Sequence, residues 1–373
     1  MRALLWGTVE AVSSDNGDCQ VLSVRIADDL RTARCFPRLV GRAVVGDRVQ
    51  INTWAVELGL GTGGCDFIVA VDAEREPCAP AGHVMKLRYT PLQHPVLAAE
   101  APESPHHAAL TQCTSLGDLP VVCTGLHSQV AAVAAAAKWE TGGTARVVYV
   151  MTDEAALPIA LSDTVRGLKA HGLIEATVTA GQAFGGDYEA VNLYSALIVA
   201  RSVARADIIV VGQGPGNVGT ATPLGFSGID QGAALNAVCA LDGTAIAVAR
   251  LSFADPRPRH VGLSHHTRTV LSKIVLRPVI VPLPRLPQEL SAQLRRAVEA
   301  AGLLGSHEFI TVDAECGLQA LEDSGLYVTT MGRSIEMERP FFLAAAAAGL
   351  VAGQWHTCAA ERWDGLGQNG GGH

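Results

Sequence analysis

The spacing of hydrophobic residues follows one pattern in the first part of the chain and another in the second part. From residue 1 to about 72, short runs alternate apolar and polar residues between Gly, Asp and Asn, which predicts antiparallel strands. These runs lie at 4–9, 20–26, 33–36, 48–52 and 67–71. Five short strands favour a small closed barrel of the OB or SH3-like type, whose plainest role is docking or oligomerisation.

After residue 119 the period lengthens, and continuous apolar runs of strand length alternate with helical patterns. The apolar runs lie at 120–126, 146–151, 175–179, 206–211, 244–249 and 279–283. Helices are predicted at 128–138, 163–171, 188–204, 228–241, 267–276, 288–301 and 341–352. This alternation predicts an α/β fold, in which the N-terminal small antiparallel β-barrel precedes a doubly wound, mostly parallel sheet.

Proline-rich segments separate these two parts. The predicted organisation is a barrel at 1–72, a connector and lid at 73–118, an α/β ligand-binding or catalytic domain at 119–353 and a flexible tail at 354–373. The lid would combine the loop at 57–64 with His106 and His107 of the connector.

Composition narrows the class of protein. The 373 residues carry a net charge of −8 without a long basic run, which argues against nucleic-acid binding. The longest apolar stretch, 341–353, is too short to span a membrane, and the N-terminus is too short for a signal peptide. Nine cysteines without a CxxC pair fit reduced thiols. We therefore expect a soluble cytoplasmic protein without a membrane partner, and homo-oligomerisation stays open.

A glycine-rich loop follows the apolar run at 206–211. Glycine lets successive backbone N–H groups turn toward one point, and a strand, a glycine loop and a helix in this order often bind anions. The predicted ligand-binding residues in this loop are Gly212, Gly214, Gly216, Asn217, Gly219 and Thr220. The alternative is a tight turn without a ligand.

Two nucleotide-binding patterns fit this loop poorly. Residues 214–219 match GxGxxG, but Pro215 stiffens the turn and no acidic residue ends a strand about 20 residues later, which disfavours a nicotinamide cofactor. No Lys-Ser/Thr pair follows the glycines, so the P-loop pattern fails.

Polar residues also follow the other predicted strands. Ligands of open α/β sheets bind beyond the carboxyl ends of the strands, so these residues are candidates for chemistry. The catalytic candidates are His127, Asp153, Asp187 and His260. We expect the carboxylates of Asp153 and Asp187 to converge, whereas Ser128 beside His127 is a weak match to a nucleophile and its base.

The segment 255–266 concentrates charge and histidine. A proline precedes each of Arg257 and Arg259, which are the further predicted ligand-binding residues. Because these prolines deny the segment a helix, we expect Arg259 or His260 to face the glycine loop and bind an anion. Asp255, His265 and His266 are candidate ligands of a divalent metal. Adjacent histidines on extended chain point to opposite sides, so only one of the pair would bind it. The alternative is that Ser264 caps a helix and the histidines are structural.

Several long strings resemble the domain-of-unknown-function family 3866, a bacterial family. They are AVELGLGTGG at 55–64, HVMKLRYTPL at 83–92, PESPHH at 102–107, VMTD at 150–153, AFGGD at 183–187, GPG at 214–216, SFADPRPRH at 252–260 and SHHT at 264–267. The resemblance extends to about residue 353, and it implies the organisation of the chain without implying a particular reaction.

These patterns favour an enzyme that acts on a small phosphate- or carboxylate-bearing molecule at the carboxyl edge of the sheet, with a divalent metal as an optional cofactor. A ligand-binding sensor would show the same loops. An oligomeric assembly protein with structural histidines is the third reading, and the residues alone leave the choice open.

Overall fold

The computed structural model describes residues 4–60, 64–73 and 81–367, with side chains described as far as residue 358. Contacts divide the chain into two compact units, Met1–Val96 and Leu97–His373. The proline-rich connector is shared between the two units.

The first unit is a closed five-stranded barrel, as the alternating pattern predicts. Its strands are β1 (Leu4–Asp15), β2 (Gln20–Ile26), β3 (Asp29–Cys35), β4 (Arg48–Asn52) and β5 (Asp66–Asp72), in the order β1-β2-β3-β5-β4. Leu22, Val24 and Ile51 fill the interior. Gly7 allows the strands to close, because a Cβ there would lie 2.6 Å from the carbonyl oxygen of Arg25.

Short elements complete this unit. Two single-turn helices, α1 (Pro37–Val40) and α2 (Trp54–Glu57), join barrel strands. A hairpin of β6 (Val84–Lys86) and β7 (His94–Val96) follows in the part of the connector that belongs to this unit.

An eight-stranded parallel sheet forms the centre of the second unit, with the order β11-β10-β9-β12-β8-β13-β16-β17. Its strands are β8 (Pro120–Cys123), β9 (Val147–Thr152), β10 (Ala176–Thr179), β11 (Tyr188–Glu189), β12 (Ile208–Gln213), β13 (Thr244–Ala247), β16 (Ile280–Pro284) and β17 (Glu308–Val312). A two-stranded ribbon of β14 (Leu251–Ser252) and β15 (Gly262–Leu263) lies outside the sheet. The predicted α/β class is confirmed.

Helices cover both faces of this sheet. They are α3 (His107–Gln112), α4 (Val130–Glu140), α5 (Asp163–Ala170), α6 (Leu193–Ser202), α7 (Asp230–Ala240), α8 (His265–Thr269), α9 (Gln288–Ala300), α10 (Glu315–Asp323) and α11 (Arg339–Gly367). The chain moves one way across the sheet through α4 and α5 and the other way through α6 and α7. Because parallel crossovers are right-handed, the two pairs lie on opposite faces. Helices α10 and α11 pack on α4.

Small residues bring α4 and α11 into close contact. A Cβ at Gly349 would lie 2.2 Å from the carbonyl oxygen of Val133, and Ala344 to Ala348 are fully buried beside it. The stretch Arg339–Cys358 is long and apolar enough to cross a membrane, but 72% of its apolar window is buried inside the fold. In this structure it is a core helix.

Two element predictions need correction. The predicted helix at 188–204 begins instead with β11, and α6 starts only after Asn192, whose side chain accepts a hydrogen bond from the backbone N–H of Ser195 and so caps the helix. The predicted tail at 354–373 continues α11 as far as Gly367, and residues 368–373 lie outside the described residues.

Candidate functional site

The strand order places the glycine loop at the centre of the sheet. Strand β12 lies between β8 and β9, although it follows both along the chain. Helix α4 follows β8 and α7 follows β12, and the two helices lie on opposite faces of the sheet. The loops that lead to them therefore diverge at the carboxyl edge and leave a crevice, which is where ligands of open α/β sheets bind.

The glycine loop itself folds as a short hairpin. The N–H of Thr220 donates to the carbonyl oxygen of Gly225 at 2.8 Å, and the N–H of Val218 donates to Ser227 Oγ at 3.0 Å. Asn217 Oδ1 accepts hydrogen bonds from Gln213 Nε2 and Ser227 Oγ at 3.0 and 2.9 Å. Of the residues that the sequence assigns to an anion, Thr220 therefore uses its backbone N–H and Asn217 its Oδ1 within the protein.

Glycine is required for two different reasons in this loop. A Cβ at Gly212 would lie 2.0 Å from Thr124 Oγ1, and one at Gly214 would lie 3.0 Å from Met151 Sδ. Gly216 has open space around it but a φ of +111°. Close packing explains the first two glycines, and backbone conformation explains the third.

A cavity of about 180 Å³ lies beside this loop. Asn217 and Gly219 line one side of it, and side chains from the segment 250–266 line the other. Those side chains are Arg250, Arg257, Arg259, His260, His265 and His266. The structure thus brings Arg259 and His260 to the glycine loop, as expected from the sequence.

Local sequence explains how the segment 250–266 reaches the cavity. Pro258 begins a single helical turn that ends at His260, and the β14–β15 ribbon returns the chain. Ser264 then caps α8, because its Oγ accepts a hydrogen bond from the N–H of His266 at 3.2 Å. The prediction that His265 and His266 lie on extended chain is wrong, because both lie in the first turn of α8.

Asp255 is the centre of a buried ion-pair network. Arg257 donates to its two carboxylate oxygens at 2.9 and 2.8 Å, and Arg333 and Arg250 lie 3.4 and 3.6 Å away. The paired Arg257 guanidinium holds the pKa of Asp255 well below its usual range. Its oxygens are thus committed to guanidinium groups, which corrects the expectation that Asp255 binds a metal.

The network continues to Glu338, just before α11. Its Oε1 accepts hydrogen bonds from Arg333 Nε at 2.6 Å and from Ser252 Oγ at 2.8 Å. Three arginines of the cavity lining (Arg250, Arg257 and Arg259) and Arg333 of the network behind it share two carboxylates, those of Asp255 and Glu338. Within these residues, two positive charges are left over.

Three histidine rings meet in the same cavity. A ligand atom from each of His260, His265 and His266 lies within 4.8 Å of the other two. The ring of His266 stacks on Phe226 with centroids 3.8 Å apart, and His260 Nδ1 lies 2.8 Å from Ser264 Oγ. The cluster of possible metal ligands therefore contains His260, where the sequence predicts Asp255.

The histidines are held in the neutral form. Burial, followed by the Arg250 guanidinium, lowers the pKa of His260 to about 3 and that of His266 to about 2. Burial and Arg259 lower the pKa of His265 in the same direction. Neutral imidazoles can bind a metal ion, but the guanidinium groups around them repel a cation and attract an anion.

His127 lies apart from this cavity in a hydrogen-bonded setting of its own. Its Nε2 lies 2.7 Å from Ser162 Oγ, and its Nδ1 lies 3.2 Å from Tyr149 Oη. Burial lowers its pKa to about 4. Ser128 Oγ instead donates to Thr330 Oγ1 at 3.1 Å, so Ser128 and His127 do not pair.

The two predicted aspartates do not converge. Asp187 pairs with Lys169 at 2.5 Å and accepts a hydrogen bond from the N–H of Thr177 at 2.8 Å, near the start of β10. Asp153 accepts one from the N–H of Gln182 at 2.9 Å, beyond the end of that strand. The two carboxylates therefore bind backbone N–H groups near opposite ends of β10.

Sequence reasoning missed Arg250 and Arg333. Arg250 directly follows an apolar strand and is buried, and such a charge at a strand end is the available signal. Arg333 lies in an irregular stretch 78 residues after Asp255, so no local pattern connects the two.

The connector histidines also have partners outside the cavity. His107 Nδ1 lies 2.7 Å from the carbonyl oxygen of Glu100, and the ring of His106 packs edge-on against Tyr188. Residues 61–63 of the barrel loop lie outside the described residues. The lid therefore stays a prediction.

Comparison with known sequences identifies the family. No curated protein matches the chain. The family model described as "Protein of unknown function (DUF3866)" matches residues 32–349. This range includes the end of β3, all of β4 and β5, and every residue of the cavity beside the glycine loop, which we call the arginine–histidine cavity. The chain therefore belongs to this family.

Proposed function

We propose that the protein is an enzyme that binds a small phosphate- or carboxylate-bearing molecule in the arginine–histidine cavity. The observation that carries the proposal is that three arginines line a cavity of about 180 Å³ and that, together with Arg333, they outnumber the two carboxylates of their ion-pair network by two. Buried charges are normally paired, so this excess favours an anionic ligand.

The pKa of Arg250 supports the same view. Burial and the neighbouring Arg257 guanidinium lower it to about 10, which reflects the cost of adding one more positive charge at this place. An anion in the cavity relieves that cost. Guanidinium groups bind carboxylate and phosphate through paired, charge-assisted hydrogen bonds.

Arg259 is the best candidate for direct contact with the ligand. Its Nε is buried and has no hydrogen-bond partner among the described residues. A buried donor without a partner costs on the order of 1–3 kcal/mol, which a bound anion removes. Arg257, by contrast, is occupied by Asp255 and supports the site.

The histidines supply the proton chemistry in this proposal. They are neutral in the free protein, and an anion beside them raises their pKa. His260 or His265 then holds a proton near the bound group and can pass it to a leaving oxygen or a carbanion.

Titration calorimetry with inorganic phosphate tests the binding step. Arg259→Gln should weaken binding at least about 10-fold, because it removes a charged donor. Arg205→Gln is the matched control, since Arg205 is exposed and precedes β12, at the opposite edge of the sheet. Equal phosphate affinity in both variants and the wild type would refute the anion site.

The enzyme and sensor readings separate in a turnover assay. The wild type is incubated with a panel of phosphomonoesters and with carboxylic acids, and the products are followed by mass spectrometry. Conversion that Arg259→Gln abolishes supports the enzyme. Saturable binding without conversion favours the sensor.

The second candidate function is the same reaction assisted by a metal ion bound to His260, His265 and His266. Its support is the approach of three ligand atoms to within 4.8 Å. Metal analysis after incubation with zinc, cobalt or manganese tests it, with His265→Gln as the comparison. One equivalent bound only by the wild type supports the metal, whereas equal amounts in both proteins argue against it.

A further inference from the structure

We propose that the ligand carries two anionic groups and that the second occupies a groove outside the arginine–histidine cavity. This inference rests on the proposed function, because the groove extends the same site. Its volume is about 450 Å³, and it shares Ala221, Arg259 and His265 with the inner cavity.

Three buried polar side-chain atoms of residues that line this groove lack a hydrogen-bond partner among the described residues. They are Arg259 Nε, Arg268 Nε and His265 Nε2. Because buried polar atoms are nearly always paired, three such atoms around one groove indicate a polar occupant.

The charge of the groove indicates that the occupant is an anion. Arg259 and Arg268 line it, and no carboxylate does so among the described residues. Both guanidinium groups contribute to the lowered pKa of His265, so their positive potential reaches the point where cavity and groove meet. Thr269 and Ser272 add hydroxyl groups to the wall.

The combined size of cavity and groove fits a ligand larger than a lone phosphate. Small-molecule sites usually measure about 300–1,000 Å³, and the cavity and groove together fall in that range. We therefore infer that the ligand is an organic diphosphate or bisphosphate, with one group in the inner cavity and the other beside Arg268.

Calorimetry with pyrophosphate and inorganic phosphate tests this inference. The wild type should bind pyrophosphate at least about 10-fold more tightly than phosphate, because the second group gains charged hydrogen bonds. Arg268→Gln should remove that preference and leave phosphate affinity unchanged within about two-fold. A merely structural role for Arg268 would weaken both ligands together.

A second variant guards against misfolding of the first. Ser272 is exposed, so Ser272→Asp adds a repelling charge to the groove wall without disturbing the core. It should also weaken pyrophosphate selectively. If the wild type binds phosphate and pyrophosphate equally, the second subsite is wrong while the proposed function stands. If it binds neither, the proposed function itself fails.

Discussion

Arg250 and His266 form a hydrogen bond between Nη1 and Nδ1 at 3.2 Å. Guanidinium can only donate, so Nδ1 of His266 accepts and the proton of the neutral ring lies on Nε2. His266 therefore presents an N–H donor at Nε2. That tautomer suits an anion and conflicts with metal binding through Nε2.

Replacement of His266 by two different amides should separate these roles. Glutamine places its amide nitrogen near the Nε2 position, whereas asparagine is too short to reach it. We expect His266→Gln to keep phosphate affinity within about three-fold and His266→Asn to lose about 10-fold or more. Calorimetry measures both, and greater loss in the glutamine variant would contradict the assigned tautomer.

Asp255→Asn should strongly destabilise the fold. It removes the carboxylate that Arg250, Arg257 and Arg333 surround, and a buried pair broken in this way costs about 3–5 kcal/mol. Denaturant unfolding measures the free energy. Asp163→Asn is the control, because its exposed pair with Arg166 is worth at most about 1 kcal/mol. Added phosphate should restore part of the loss in Asp255→Asn, and equal destabilisation of the two variants would contradict the buried network.

Two glycines of the loop should respond differently to alanine. Gly216→Ala meets no neighbouring atom but must keep a φ of +111°, so we expect a cost of about 1–2 kcal/mol together with weaker phosphate binding. Gly212→Ala forces a Cβ to within 2.0 Å of Thr124 Oγ1, and overpacking of this kind costs about 1–3 kcal/mol. Unfolding curves and calorimetry on the same samples check both. A Gly216→Ala variant with normal binding would show that the loop conformation is unimportant for the ligand.

Acid should destabilise the protein partly through His127. Its pKa is about 4 in the folded protein, compared with 6.5 for the unperturbed group. Above pH 6.5 both states are neutral at this residue. Between pH 6.5 and 4 the unfolded chain takes up a proton that the folded protein excludes, so stability falls as the pH falls. The free energy of unfolding should therefore depend less steeply on pH over this window in His127→Gln than in the wild type, and identical slopes would contradict the buried, neutral state of His127.

Hydrophobic period predicts the architecture well and the site only in part. The barrel strands follow from local alternation and the six predicted sheet strands from continuous apolar runs, because each barrel strand buries one face and each sheet strand buries both. Strand β11 could not be predicted in this way, because its two residues, Tyr188 and Glu189, are too few to show a hydrophobic pattern. The prolines at 256 and 258 predict a segment without helix, whereas Pro258 begins a single helical turn there, because proline is well suited to the first position of a helix. The roles of Asp255 and His260 could not be separated in advance, because they depend on Arg333 and Arg250, which reach Asp255 only through the fold.

The contact between α4 and α11 has a consequence for how the chain matures during synthesis. Alanine and glycine lose little side-chain entropy on burial, so the two helices can dock late at small cost. Until α11 leaves the ribosome, however, the surface of α4 that α11 covers is exposed, and Arg333 and Glu338 are made only just before α11. The nascent chain can thus build its barrel and most of its sheet early, but its charged cavity forms last.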